Sequence, residues 1–193
     1  MKTILVASSN RHKIAEIREI LEPRGICVQS VDEVGGMPEV VEDADSFRGN
    51  AVKKAVEAAR ALNHTVLADD SGLEVFALNG EPGVHSARYA GEGGNDGRNL
   101  AKLLGKLEGV TDRRARFVCV IALASPEGLI GTAEGEVRGT IALGKRGQGG
   151  FGYDPAFIPE GYEQTFGELP QEVKNSLSHR SRALQNAIAN GLL

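Results

Sequence analysis

Short apolar runs alternate with helical patterns through the first half of the chain, and this alternation limits the fold more than any other feature. "TILVA" (3–7) reads as a buried strand, followed by the polar residues Ser8, Ser9 and Asn10 and a helix with Ile14, Ile17 and Leu21 on one face. Pro23 and Gly25 stop that helix, and "ICVQSV" starts a second strand. The acidic stretch "PEVVEDADS" reads as a loop with Asp45 or Ser46 as a helix cap. Val52, Ala55, Val56, Ala59 and Leu62 then recur at helical spacing, with Lys53, Lys54 and Glu57 offset from the stripe. Asn63 ends the helix, and "TVLA" is the next strand.

The second half changes rhythm. "GLEVFAL" alternates as a strand, "NGEPG" turns, and Leu100, Leu103, Leu104 and Leu107 mark a third amphipathic helix. "ARFVCVIALAS" is the strongest strand pattern, and "GLIGTAEGEVRGTIAL" keeps one face polar, as antiparallel strands do. From Pro170 to Leu192 the chain reads as helical with a break near Ser178. The expectation is an α/β fold, a mixed sheet flanked by helices, in a single domain spanning residues 1–193.

Composition removes several function classes. A formal net charge of -4 disfavours a sequence-independent grip on nucleic acid, though a local basic cluster could still hold a small anion. No apolar run approaches membrane-spanning length, and the N-terminal run is too short for a signal peptide. Cys27 and Cys119 each sit in an apolar run and read as free thiols of a reducing cytoplasm, not as a disulfide or metal site.

Four segments can carry chemistry. In "SSNRHK" (8–13), a strand feeds a helix whose N-terminal N–H groups favour anions, with Ser8, Ser9 and Asn10 as donors and Lys13 as a cation. Alone, it reads more simply as a helix cap with a solvated lysine. In "GQGGFGYDP" (147–155), Gly147, Gly149 and Gly152 match a dinucleotide fingerprint. Pro155 denies the helix that such a fingerprint must open. A glycine loop ending in Phe151, Tyr153 and Asp154 suits a flat ring better, and serves equally as a hairpin with core aromatics.

In "EVKNSLSHRSRAL", Lys174, His179, Arg180 and Arg182 gather positive charge near a helix start, against the dipole preference. Such a cluster is by default a solvated face, but it also hints at a compensating anion. In "LADDSGL", Asp69 and Asp70 end an apolar strand. Two carboxylates there suit Mg²⁺ with one free to take a proton; Asp-Ser-Gly is equally a turn. Together the four supply anion donors, cations, a metal carboxylate and a ring pocket, which is what a nucleoside triphosphate hydrolase needs.

"SSNRHK", "NAVKKA", "ADDSGLEV", "PGVHSARYAG", "GGFGYDPAF" and "SHRSRAL", in this order, closely resemble the Ham1/RdgB-type non-canonical purine NTP pyrophosphatases, the inosine triphosphate pyrophosphatase family. The match runs nearly end to end. The resemblance implies Mg²⁺-dependent hydrolysis of ITP, dITP and XTP to monophosphate and pyrophosphate. It also implies a homodimer, and an elongated mixed β-sheet with two lobes around a central active-site cleft; composition points to the cytoplasm. By the same resemblance Ser8, Ser9, Asn10, Arg11, His12 and Lys13 fall on the phosphate-binding motif. Asp70 falls on the metal-linked proton acceptor, Asp69 on its acidic metal-binding neighbour, and Ser71 on a substrate contact. Phe151, Gly152, Tyr153 and Asp154 match the base-pocket loop; Lys174, His179 and Arg180 match further substrate contacts, and Asn50 and Lys54 lie on the "NA..KA" helix.

Two positions depart from the family pattern. Relatives often carry Glu as a further metal ligand where this chain has Gly49, so the metal rests on Asp69 and Asp70 or recruits Glu42 or Asp45. His85 stands where relatives often have Tyr. A Maf-type pyrophosphatase is argued against by "FGYDP" and "SHR". A non-catalytic nucleotide-binding module is the alternative of a different class. Discrimination against adenine would follow from donors, Arg180 or nearby N–H groups, facing a 6-keto oxygen.

Overall fold

The computed structural model describes residues 2–36 and 38–193. Its strands are β1 (Lys2–Val6), β2 (Ile26–Ser30), β3 (Val66–Val75), β4 (Arg114–Ser125), β5 (Gly128–Ile141) and β6 (Phe157–Pro159). The helices are α1 (Arg11–Leu21), α2 (Phe47–Leu62), α3 (Asp96–Lys106), α4 (Gln171–Leu177) and α5 (His179–Ala189). The six strands form one mixed sheet in the order β2-β1-β3-β4-β5-β6. β1 runs parallel to both β2 and β3, as helical crossovers require, and β5 runs antiparallel to β6.

The chain gathers into two compact units. The first comprises residues 1–70, 119–135 and 179–193, and the second residues 71–118 and 136–178. In the first unit Ile14, Ile17, Ile20 and Leu21 of α1 pack with Ile4 and Val6 of β1, Val28 of β2, Ile121 of β4 and Leu184 of α5. α1 starts where Asn10 accepts the His12 and Lys13 N–H groups (3.0 and 3.2 Å). α2 starts at Ser46, whose Oγ accepts the Gly49 N–H, and ends at Asn63 in the left-handed region (φ 53°).

The second unit has its own core. Leu100, Leu103 and Leu107 of the α3 segment pack with Leu73, Val75, Ile141 and an aromatic trio. Phe117 and Phe157 lie 4.6 Å apart between ring centroids, and Phe157 and Phe166 5.3 Å. Arg113 ties down the loop before β4 by donating to the carbonyls of Leu107, Ile141 and Ala142.

One expectation is corrected. "LADDSGL" is neither a turn nor the end of a strand: β3 runs unbroken from Val66 through both aspartates to Val75. Ladder pairing with the neighbouring strands overrides the local turn chemistry of Asp-Ser-Gly. The helix break at Ser178 falls where the pattern placed it, with Ser178 in extended geometry (ψ 156°) between α4 and α5. Both cysteines are free, Cys119 buried and Cys27 partly exposed. No helix among the described residues is long and apolar enough to cross a membrane.

Candidate active site

Continuity of β3 decides how two adjacent carboxylates coexist. Successive side chains on a strand leave on opposite faces, so Asp69 and Asp70 diverge. Asp69, 1% exposed, meets Arg180 at the start of α5 (Nη2 2.9 Å, Nε 3.3 Å) and Lys13 in the first turn of α1 (3.1 Å). Asp70, 7% exposed, accepts a hydrogen bond from Asn50 Nδ2 of α2 (3.1 Å). The two neighbours therefore inhabit different electrostatic worlds.

Burial pushes the Asp69 carboxyl up, but Lys13, Arg180 and Lys54 outweigh it and hold the group well below the usual carboxylate range. For Asp70 burial wins: Lys54, Lys13 and the Asn50 hydrogen bond pull down, Glu42 pushes up, and the group rests at about 6. Arg180 is fully buried and divides its guanidinium between Asp69 and Glu16 of α1. Lys54, offset from the apolar stripe of α2, is nonetheless buried, donating to the Asp69 carbonyl (3.2 Å) and pairing with Glu42 (2.7 Å).

Ser8, Ser9, Arg11 and His12 line the β1–α1 connection, Ser9, Arg11 and His12 exposed and Ser8 half-exposed. α1 opens with Arg11, His12 and Lys13 and has no acid in its first turn, so its positive end and three basic side chains coincide. Positive charge therefore concentrates at that helix start. The first unit thus brings together Lys13, Asn50, Lys54, Asp69, Asp70 and Arg180; Ser71, half-buried, opens the second unit.

The second unit holds the glycine-rich loop 147–154, read from sequence as a ring pocket. Gly147 and Gly150 have positive φ (81° and 69°), and a Cβ on either would collide, with the Gly167 carbonyl at 2.1 Å and with Asp154 Oδ2 at 2.3 Å. Asp154 accepts the Phe151 N–H (2.8 Å) and Lys174 Nζ (2.6 Å), and Lys174 lies 4.8 Å from the Phe151 ring centroid. Tyr153 donates to the Ser86 carbonyl (2.8 Å), and burial pushes its hydroxyl well above the ordinary value. The fingerprint glycines open no helix; a 3-10 turn at Asp154–Ala156 follows.

The model of the Ham1 family matches residues 4–190. The chain belongs to the Ham1 family. Among Ham1-family relatives, the dITP/XTP pyrophosphatase of Desulforamulus reducens is 53% identical over 190 residues, 97% of this chain and 94% of that protein. The dITP/XTP pyrophosphatase of Desulfotalea psychrophila is 50% identical, over 94% of this chain and 81% of that one. The solved Ham1 protein of Staphylococcus aureus is 46% identical and superposes with a TM-score of 0.86 over 100% of both chains. The HAM1 protein of Coxiella burnetii, 39% identical, gives 0.87 over 100% of this chain and 98% of that one.

Within this Ham1-family chain the basic segment is divided. Lys174 belongs to the second unit with Asp154, while Arg180 and the buried His179 belong to the first. Glu16 was missed by sequence reasoning, although a carboxylate between Ile14 and Ile17 on a buried stripe is a visible signal.

The donor set can be weighed against a divalent ion. No group of three or more His, Cys, Asp or Glu among the described residues forms a metal cage. Mg²⁺ needs none, since one or two carboxylates plus phosphate and water suffice. Asp70 and Glu42 fit that: Glu42 lies close enough to raise the Asp70 carboxyl, and a cation would relieve the repulsion.

Gly49 has a structural reason. A Cβ there would stand 2.7 Å from Ala44 Cβ, so the acidic loop seats against α2 only because position 49 is bare. The seat is fixed by the Ala44 N–H donating to Asn50 Oδ1 (2.9 Å). Helix propensity alone favours Gly49→Ala by up to about 1 kcal/mol, whereas overpacking costs about 1–3 kcal/mol. We expect Gly49→Ala to lower the thermal midpoint and Ala44→Gly/Gly49→Ala to recover it. Additive effects in that double-mutant cycle would contradict the contact.

Proposed function

We propose that this chain hydrolyses non-canonical purine nucleoside triphosphates, ITP, dITP and XTP, to the monophosphate and pyrophosphate with Mg²⁺. The observation that carries the reading is the split between the two adjacent aspartates. One is committed to cations; the other is left with a raised carboxyl beside an anion-binding helix start. Pairs of acids driven apart in this way mark acid and base roles. Membership of the Ham1 family, with relatives named dITP/XTP pyrophosphatases, supports the substrate class.

In the chemistry we infer, a water oxygen bonds to the α-phosphorus in line with the bond to the β-phosphate bridge, which breaks. Asp70 takes the water's proton, and the pyrophosphate carries away the bridging electron pair. Lys13 and Lys54 offset charge on the phosphates, and the Arg11–Lys13 helix start supplies N–H donors. Asp69 holds Lys13 and Arg180 in place. Asp70 with Glu42 would hold Mg²⁺, which when bound supplies charge that polarises the phosphoryl group. Phe151 to Asp154, stiffened by Lys174, receive the purine ring.

Arg180 already serves two carboxylates, so the donor to a 6-keto oxygen is better sought among backbone N–H groups of the ring loop. An unmatched buried polar pair costs about 1–3 kcal/mol, which is about 10–100-fold in kcat/KM. Pyrophosphate release from ITP and XTP should exceed that from ATP by that factor with Mg²⁺ and vanish in EDTA; GTP carries the same 6-keto oxygen, so a lower rate on it must come from its 2-amino group. Equal rates on all four would reject the substrate class, and no release from any would reject the enzyme. Family membership also supports a cytoplasmic homodimer, which sedimentation equilibrium would check.

A further inference from the structure

The ring loop must hold one shape to distinguish bases that differ by a single exocyclic group, yet four of its six residues from Gly147 to Gly152 are glycine. Glycine gives the loop its tight path and also makes it costly to order. Most of its ties lie within the loop or its immediate surroundings: Gly149 N–H to the Gly167 carbonyl, Phe151 N–H to Asp154, and Asp154 N–H to the Phe151 carbonyl. Two ties come from far away: the Tyr153 hydroxyl, just past the glycines, donates to the Ser86 carbonyl (2.8 Å), and the other acts on the glycine run itself. Asp96 Oδ2, in the first turn of α3, accepts the Gly152 N–H at 2.8 Å, 56 residues distant in sequence.

We propose that Asp96 is a positioning residue that fixes the ring-recognition loop, and so sets base specificity without touching the base. The proposal rests on the reading of that loop as the purine site. Three observations support it. Gly152, the donor, sits at φ 61°, at the turn that separates Phe151 from Tyr153, so a restraint there positions Phe151, while Tyr153 is also held at its hydroxyl by Ser86. Packing is sparse on this side of the loop, where a cavity of about 330 Å³ lies, lined by Asp96, Leu100, Phe151 and Pro155 among others. The base of the clamp is firm: Asn95 caps α3 by accepting the Arg98 N–H (2.9 Å), and Leu100 and Leu103 bury the helix in the core. An exposed carboxylate in a first helical turn could instead serve only the helix dipole, and the two roles separate experimentally.

Asp96→Asn keeps an oxygen acceptor and loses the charge; Asp96→Ala loses both. Steady-state kinetics on ITP, XTP and ATP with Mg²⁺ should show a KM for ITP raised about tenfold in Asp96→Ala, the worth of one such hydrogen bond. Its kcat should stay within about threefold, and ITP-over-ATP selectivity should fall. Asp96→Asn should return KM and selectivity to near wild type. Hydrogen exchange of the 149–153 amides should quicken in Asp96→Ala and not in Asp96→Asn. A dipole role predicts equal losses of thermal midpoint in both variants and unchanged KM, which would overturn the proposal. Phe151→Ala keeps the two hypotheses apart. If it raises KM for ITP while Asp96→Ala does not, the clamp fails and the ring site stands; if neither changes KM, the ring site itself fails.

Discussion

Replacing Asp70 by asparagine should abolish most turnover and make the protein more stable. The first effect follows from losing the proton acceptor, which contributes about 10²–10⁴-fold to such reactions. The second follows from linkage. The Asp70 carboxyl rests at about 6 in the folded protein, against about 3.9 when unfolded. The folded state therefore holds this proton more tightly. That advantage is complete below pH 4 and is lost as pH rises through 6, above which the native state carries a buried charge at a cost. The difference of about two pKa units corresponds to about 3 kcal/mol.

Asparagine removes that charge and can still accept the Asn50 hydrogen bond. In EDTA at pH 8 the variant should melt several degrees above the wild type, and at pH 4 the two should coincide. Added Mg²⁺ should narrow the gap at pH 8 by stabilising only the wild type. Turnover within tenfold of wild type would remove Asp70 from the chemistry, and an unchanged midpoint at pH 8 would remove the strain attributed to it. Stability lost to a charge that function needs is a common trade in active sites.

Periodicity made most elements legible. The Ile14–Ile17–Leu21 stripe of α1, the long β4 and the break at Ser178 all lie where the pattern placed them. Three features were not legible, because each depends on a partner distant in sequence. Asp69 and Asp70 can stand inside a strand only because Arg180, 111 residues on, and Lys13 neutralise one of them. Lys54 lies off its helix's apolar stripe and yet is buried, because Glu42 and the Asp69 carbonyl meet it there. The cations near Ser178 called for an anion, and for Arg180 and Lys174 the structure supplies protein carboxylates: Asp69 and Glu16 for one, Asp154 for the other. Local sequence gives the charge of such groups; only the fold says which charge answers it.

Arg180→Met tests that answer most severely. The side chains are similar in reach, so the substitution removes charge and hydrogen bonds more than volume. Asp69 and Glu16, both nearly fully buried, would lose their shared guanidinium, leaving Lys13 and Lys54 as cations acting on Asp69. Breaking one side of a buried ion pair costs about 3–5 kcal/mol, a large part of a total of about 5–15 kcal/mol. The thermal midpoint at pH 8 should fall by about 10 °C or more. The pH dependence carries the sign. Asp69 is held below its unfolded value, so its contribution is present above pH 4 and fades as pH falls through the folded value. Without Arg180 that depression shrinks, so the deficit should hold from pH 8 down to about pH 4 and diminish below it. Adding Glu16→Gln and Asp69→Asn to Arg180→Met should restore part of the midpoint, since the trio is then neutral, while Lys13 is left without its Asp69 partner and turnover stays low. A deficit independent of pH, and unrelieved in the triple variant, would mean that Arg180 acts through packing and not as the counter-charge of the two carboxylates.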